Sequence, residues 1–175
     1  SWQHNAYLKP WNLRLLRVMQ KRSALWVGDS RLVTDMTAER LSIAQDRLFL
    51  WQIFRADSAA PLARPWQAGE VLRIGSLGRL HRAKGYDVLI AALALLRQRG
   101  FVPDTPFHIE IAGEGTLLGE LTAQAHAAGV SDWISFPGFA ENPRQWLSTL
   151  HLYCQPSRRE GLCIAVHEAM QAGLP

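Results

Sequence analysis

The sequence of 175 residues is poor in cysteine: only Cys154 and Cys163 occur, and they make neither a CxxC pair nor a disulfide framework. That excludes a disulfide-stapled secreted scaffold and agrees with a reducing compartment. No apolar run approaches the roughly 18 residues a membrane-spanning helix needs. Nothing at Ser1-Trp2-Gln3-His4 has the layout of a secretory leader, so a cytoplasmic chain is expected. Familiar nucleotide loops are missing too. Lys84 is followed by Gly85 rather than Ser or Thr, which excludes a Walker loop. Gly113-Glu114-Gly115 falls short of a dinucleotide fingerprint, because the third glycine comes one position late, at Gly119. What the sequence does contain is 48% hydrophobic residues, enough for a sizeable core, without a disorder signature. Lys and Arg outnumber Asp and Glu by 19 to 15, a mildly basic balance that favours anionic partners without selecting among phosphate metabolites, nucleic acid and a membrane surface.

From Tyr7 to Arg22, Leu8, Trp11, Leu15, Val18 and Met19 recur at helical spacing, with Lys9, Arg14, Arg17, Lys21 and Arg22 elsewhere and no acidic residue. This basic amphipathic helix has two readings: packing on its own domain with a solvated basic face, or contact with a membrane surface. Ala24 to Ser30 is a short apolar run ending in turn residues, a buried strand. Its Gly28-Asp29-Ser30 resembles the opening of a serine-esterase block. However, Arg31 replaces the usual Leu, and no Asp-x-x-His follows to activate a serine. A strand end with a cap for a helix from Thr34 to Ile43 explains the same residues. Arg47 to Ile53 is a further strand, and Ala56 to Gly69, with Pro61 and Pro65 and no periodic pattern, is a linker.

Beyond the linker the pattern is regular. Strands at Val71 to Gly75, Phe107 to Ala112, Trp133 to Phe136 and Leu150 to Cys154 are each followed by a loop and a helical stretch, the third helix being Pro143 to Thr149. Successive strand–loop–helix units imply an α/β fold: a doubly wound, Rossmann-like parallel sheet with right-handed crossovers and its ligand beyond the carboxyl ends of the strands.

Two loops on that edge carry chemistry. Gly78-Arg79-Leu80 through Lys84-Gly85 places two cations, Arg79 and Lys84, where a forked guanidinium and a compact ammonium would suit a diphosphate, although solvated loop charges explain them equally. In Pro156-Ser157-Arg158-Arg159-Glu160-Gly161, two carboxylates, Glu160 and Glu168, bracket the start of an apolar helix. Backbone N–H groups at such a helix start can hold a phosphate. A wholly helical interval would set Glu168 about 12 Å beyond Glu160. Alone, the pair reads equally as one acid near the positive helix end and one on a solvated face.

Taken in order, Gly78-Arg79-Leu80 with Lys84-Gly85, Ile111 to Gly115, Ile134 to Gly138, Pro156-Ser157 through Glu160-x7-Glu168-Ala169-Met170, and Gly173-Leu174-Pro175 resemble the donor half of retaining glycosyltransferases of the GT-B fold, the Glu-x7-Glu enzymes among the glycosyl transferases of group 1. The resemblance covers Val71 to Pro175. It implies that residues 1–55 are the tail of an N-terminal acceptor domain, 56–70 an interdomain linker, and 71–175 a nucleotide-sugar-binding domain truncated at its end. It assigns Arg79 and Lys84 to the donor diphosphate, assisted by backbone N–H groups after Gly161, at Leu162 and Cys163. Glu160 would bind hexose hydroxyls and Glu168 ribose hydroxyls, while Gly138, Phe139 and Ala140 lie along the base and Gly78 and Gly113 belong to the same donor site.

The implied partners are a UDP-, GDP- or ADP-sugar and a saccharide or lipid-linked acceptor. Peripheral membrane contact is compatible, and no nucleic acid, cofactor or metal is expected. His151, Cys154, Cys163 and His167 fit no zinc spacing, and Cys163 near a helix start favours a thiolate. His167 replaces an apolar residue and is expected half-exposed, without a catalytic role. With most of the acceptor domain absent from the sequence, the fragment alone is expected to be inactive. The alternatives are an epimerase of GT-B fold and a non-catalytic nucleotide-binding or interaction module.

Overall fold

The computed structural model describes residues 10–51 and 62–175. The expected helical residues Tyr7 to Lys9, strand residues Gln52 and Ile53, and linker residues Ala56 to Pro61 lie outside that range. The chain divides into two compact units, Ser1–Arg55 with Glu160–Cys163, and Ala56–Arg159 with Ile164–Pro175.

In the first unit, helix α1 spans Pro10–Met19 and ends in a 3-10 turn, Gln20–Arg22. The residues that set its periodicity, Trp11, Leu15, Val18 and Met19, are exposed, while Leu13 and Leu16 are half-buried and Gln20 is buried. Strand β1, Trp26–Gly28, pairs in parallel with β2, Leu48–Leu50. Helix α2 spans Arg31–Leu41, so it begins three residues before the expected Thr34. The reason is Ser30, whose hydroxyl accepts from the Val33 amide at 3.3 Å and caps the helix directly after the strand. Gly28 has no room for a side chain, since a methyl there would meet the Thr34 hydroxyl at 2.2 Å.

The second unit is a four-stranded parallel sheet in the order β5-β4-β3-β6. The strands are β3, Leu72–Leu77; β4, Phe107–Ala112; β5, Ile134–Gly138; and β6, Leu152–Tyr153. Helices α3, Tyr86–Gln98, and α4, Leu118–Ala127, cover one face; α5, Pro143–Leu147, and α6, Ile164–Gln171, cover the other. Because side chains alternate along a strand, Ile109 and Ile111 enter a core with Leu80, Ile90 and Leu121, while Ala112 joins Leu147, Leu150 and Ala169 on the opposite face. The second face packs close: a methyl on Gly75 would stand 2.2 Å from Leu150.

Several boundaries differ from the sequence pattern: β5 is Ile134–Gly138 rather than Trp133 to Phe136, α5 ends at Leu147 rather than Thr149, and β3 starts at Leu72 rather than Val71. β3 runs on to Leu77, because Ser76 and Leu77 stay in register with Ile111 and Ala112 of β4, with the buried Ser76 hydroxyl facing that of Tyr86 at 3.4 Å. β6 is short, yet His151 N–H to Arg73 O at 2.9 Å and Cys154 N–H to Gly75 O at 2.8 Å extend its ladder from His151 to the expected end at Cys154, while Leu150 instead closes the helix before it by donating to Leu147 O at 3.1 Å. α6 begins at Ile164, so Leu162 and Cys163 precede the helix rather than forming its first turn, and only part of the Glu160-to-Glu168 interval is helical.

Candidate functional site

The carboxyl edge of the sheet is built from backbone. Gly78, just after β3, donates to Ala112 O at 3.0 Å, and Gly113, just after β4, donates to Gly138 O at 2.7 Å. Gly113 has φ +153°, and a methyl on it would lie 2.1 Å from the Gly78 carbonyl oxygen. Gly138, at the end of β5, has φ +88° with open space around its Cα. Only glycine suits the first position sterically and the second conformationally. Three neighbouring strands thus end at glycines.

The cations sit on the same edge. Lys84 closes a 3-10 turn, Arg82–Lys84, capped by the His81 ring nitrogen, which accepts from Ala83 N–H at 3.2 Å. Its side chain runs over Gly78, where a methyl would meet Lys84 Cε at 3.2 Å. Arg79 follows Gly78 and is exposed. Phe139, 68% exposed, follows Gly138, whereas Ala140 packs against the second core. The structure therefore brings Gly78, Lys84, Gly113 and Gly138 together, with Arg79 and Phe139 as their chain neighbours.

Glu168 lies half-buried on α6, and burial pushes its carboxyl above the ordinary range. His167 is half-buried too. Glu160, Gly161, Leu162 and Cys163 belong to the first compact unit and are not among the residues that the second unit's own contacts assemble. Burial likewise raises the Cys154 thiol, and His151 lies at the opposite edge of the sheet. Among the described residues, no three of His, Cys, Asp and Glu are placed to hold a metal ion.

Sequence reasoning missed the residues that hold this edge in shape. Tyr153 OH accepts from Leu77 N–H at 3.2 Å and donates to Gln155 Oε1 at 2.7 Å, and Gln155 in turn donates to Ser157 Oγ at 2.7 Å. Arg158 forms a two-pronged pair with Asp87, 2.6 and 2.7 Å, and donates to Arg82 O at 2.9 Å. That pair joins residues 71 positions apart, so no spacing rule could have announced it.

Residues 71–175 match the family profile described as Glycosyl transferases group 1. The chain belongs to that family. An uncharacterized glycosyltransferase of Haemophilus influenzae is 29% identical over 183 residues, covering 99% of this chain and 48% of the relative. A D-inositol 3-phosphate glycosyltransferase of Jonesia denitrificans is 35% identical over 105 residues, 56% of this chain and 24% of the relative. The chain thus spans between about a quarter and about half the length of these curated relatives. Among solved structures, Anabaena Alr3699/HepE in complex with UDP and glucose superposes with TM-score 0.75 at 19% identity, over 98% of this chain and 48% of that one. Staphylococcus aureus TarM in a complex that includes UDP gives 0.70 at 15%, over 94% and 31%. At such identities the likeness establishes the fold: an α/β, Rossmann-like half of the GT-B architecture, as the group 1 resemblance implied.

Proposed function

We propose that this chain carries most of the donor site of a retaining hexosyltransferase, which moves a sugar from a nucleotide-sugar to a saccharide or lipid-linked acceptor without a metal. The observation that carries the reading is the carboxyl edge, with glycines at its strand ends. Gly78 and Gly113 let the ends of β3 and β4 lie backbone to backbone, Gly138 leaves open space at the end of β5, and Lys84 and Arg79 supply positive charge beside them. In a retaining transfer the departing diphosphate gains negative charge as the glycosidic bond stretches. Fixed cations stabilise that charge more than they stabilise the bound donor, which is what lowers the barrier. Glu160 receives hexose hydroxyls and Glu168 ribose hydroxyls, each carboxylate accepting at both oxygens when ionised. Leu162 and Cys163 contribute backbone N–H groups beside Gly161, ahead of α6. Phe139 and Ala140 lie along the base. The complexes of HepE and TarM with UDP favour a uridine nucleotide.

Calorimetric titration of the chain with UDP, GDP and ADP tests this. One nucleotide should bind, and Arg79→Ala and Glu168→Ala should each weaken it, Arg79→Ala by about 10- to 100-fold, the range for losing a hydrogen bond to a charged group. Equal affinity in the folded variants would overturn the assignment. No binding by the folded chain would favour the interaction module.

A further inference from the structure

We propose that Arg158 and Asp87 form a latch that sets where Lys84 meets the donor diphosphate, making both of them positioning residues for phosphate recognition; this rests on the donor-site reading above. The turn that carries Lys84 has little internal support. Its local bonds include Lys84 N–H to His81 O at 2.9 Å, Gly85 N–H to Arg82 O at 3.3 Å and the His81 ring cap on Ala83 N–H at 3.2 Å, and it ends at Gly85 in the left-handed region, φ +71°. What fixes it comes from the loop after β6. Arg158 N–H donates to Ala83 O at 2.9 Å, and the Arg158 guanidinium donates to Arg82 O at 2.9 Å, so one residue holds two consecutive carbonyls of the turn. The guanidinium is itself aimed by Asp87, whose two oxygens take its two nitrogens at 2.6 and 2.7 Å. Asp87 stands in the first turn of α3, two residues after Gly85, so the turn is clasped from both sides. Behind it the backbones interlock: a methyl on Gly85 would lie 2.1 Å from Pro156 O.

The alternative is an ordinary surface ion pair, which usually contributes little. Geometry argues for more here. A forked pair with a third, backbone acceptor is ordered, because a planar guanidinium has one orientation that satisfies all three contacts. A lysine is a point charge on a flexible stem, so the position of its Cα decides how much of its conformational freedom is already spent before the phosphate arrives. Arg158 itself is occupied by Asp87 and is thereby kept from serving as a phosphate ligand. The same strap fixes the chain two residues ahead of Glu160.

The test compares UDP, GDP and ADP, each with its own nucleoside, in calorimetric titrations of the chain and its Asp87→Asn, Arg158→Gln and Arg158→Lys variants. The expected result is a loss of about tenfold in affinity for the bound diphosphate in Asp87→Asn and Arg158→Gln, the size of one charge-assisted contact, with the nucleoside's affinity unchanged. Arg158→Lys should recover only part, since an ammonium cannot make the fork. The double variant should be no weaker than either single one, because the pair acts as a unit. In a Lys84→Ala chain, adding Asp87→Asn should change nothing further. Equal weakening of diphosphate and nucleoside, or a full tenfold loss from Asp87→Asn in the Lys84→Ala chain, would overturn the latch while leaving the donor site intact. A folded chain that binds no diphosphate would overturn both.

Discussion

The two edges of the four-stranded sheet are made of the same strands and treated in opposite ways. At the amino edge, side chains close over the backbone. His151 Nδ1 accepts from Arg73 N–H at 3.0 Å, Trp133 packs on Phe107 with ring centroids 5.3 Å apart, and Arg97 lies 3.9 Å above the Trp133 ring while gripping Asp132 at 2.8 Å. Arg64 and Glu70 pair nearby at 2.8 Å, and Trp66 donates to the Glu70 carbonyl at 3.0 Å. At the carboxyl edge β3, β4 and β5 end at Gly78, Gly113 and Gly138, which bond backbone to backbone, while the side chains of Tyr153, Gln155 and Arg158 brace the strand ends and loops around them and the cations lie on loops. One edge is committed to stability. The other keeps glycines at three strand ends, where a ligand of a parallel sheet approaches.

The largest effect should come from putting a side chain where a strand ends at glycine. Gly113→Ala combines a positive φ with a clash against Gly78 O, and a loss of about 3 kcal/mol in denaturant unfolding is expected. Gly138→Ala has the positive φ but open space, so only the conformational cost of about 1 kcal/mol should appear. Equal losses would show that crowding is not what keeps glycine at position 113.

His151→Ala probes the opposite edge. It leaves the half-buried Arg73 N–H without its acceptor, and about 1 kcal/mol of stability should go while nucleotide affinity is retained. A large loss of affinity in a folded His151→Ala chain would break the division between the edges. Arg97→Ala should cost less, about 0.5–1 kcal/mol for the cation–π contact, again without a change in binding.

The smallest effect is a pH dependence in which the two edges pull apart. Burial raises the Glu168 carboxyl, so the folded chain holds that proton more tightly than the unfolded one. Its contribution to stability is fully present below the ordinary glutamate range and is lost as pH rises through the raised value. Ribose hydroxyls are bound better by the ionised form, which accepts at both oxygens, so nucleotide affinity should strengthen as pH rises through that raised value. Melting and titration series across that value check both slopes, and Glu168→Gln should flatten them. Parallel slopes would place Glu168 outside the ligand site.

Much of this edge was legible in the sequence. The period-2 strands, the glycines after them and the ordered motifs from Gly78 to Glu168 point to a parallel sheet with a ligand at its carboxyl ends, because turn chemistry and alternation are local properties. The end of β3 was not legible, because Ser76 and Leu77 stay in the strand through their register with the distant Ile111 and Ala112. Nor was the start of α6, where a run of apolar residues after Gly161 does not say which of them begins the helix. The exposure of Trp11, Leu15 and Val18 was hidden for a similar reason: periodicity marks an apolar stripe without saying what meets it.

The sequence by itself determined the class of fold, the family and the residue types available to a sugar nucleotide, since each depends on patterns a few residues long repeated in order. Only the tertiary structure decided that Gly113 must be bare because Gly78 O lies against it. It alone decided that Lys84 runs over Gly78 and that Arg158 reaches Asp87 to hold the lysine's turn. Those contacts join strand ends and loops far apart in the chain, and they exist only once the parallel register of β3, β4 and β6 is set.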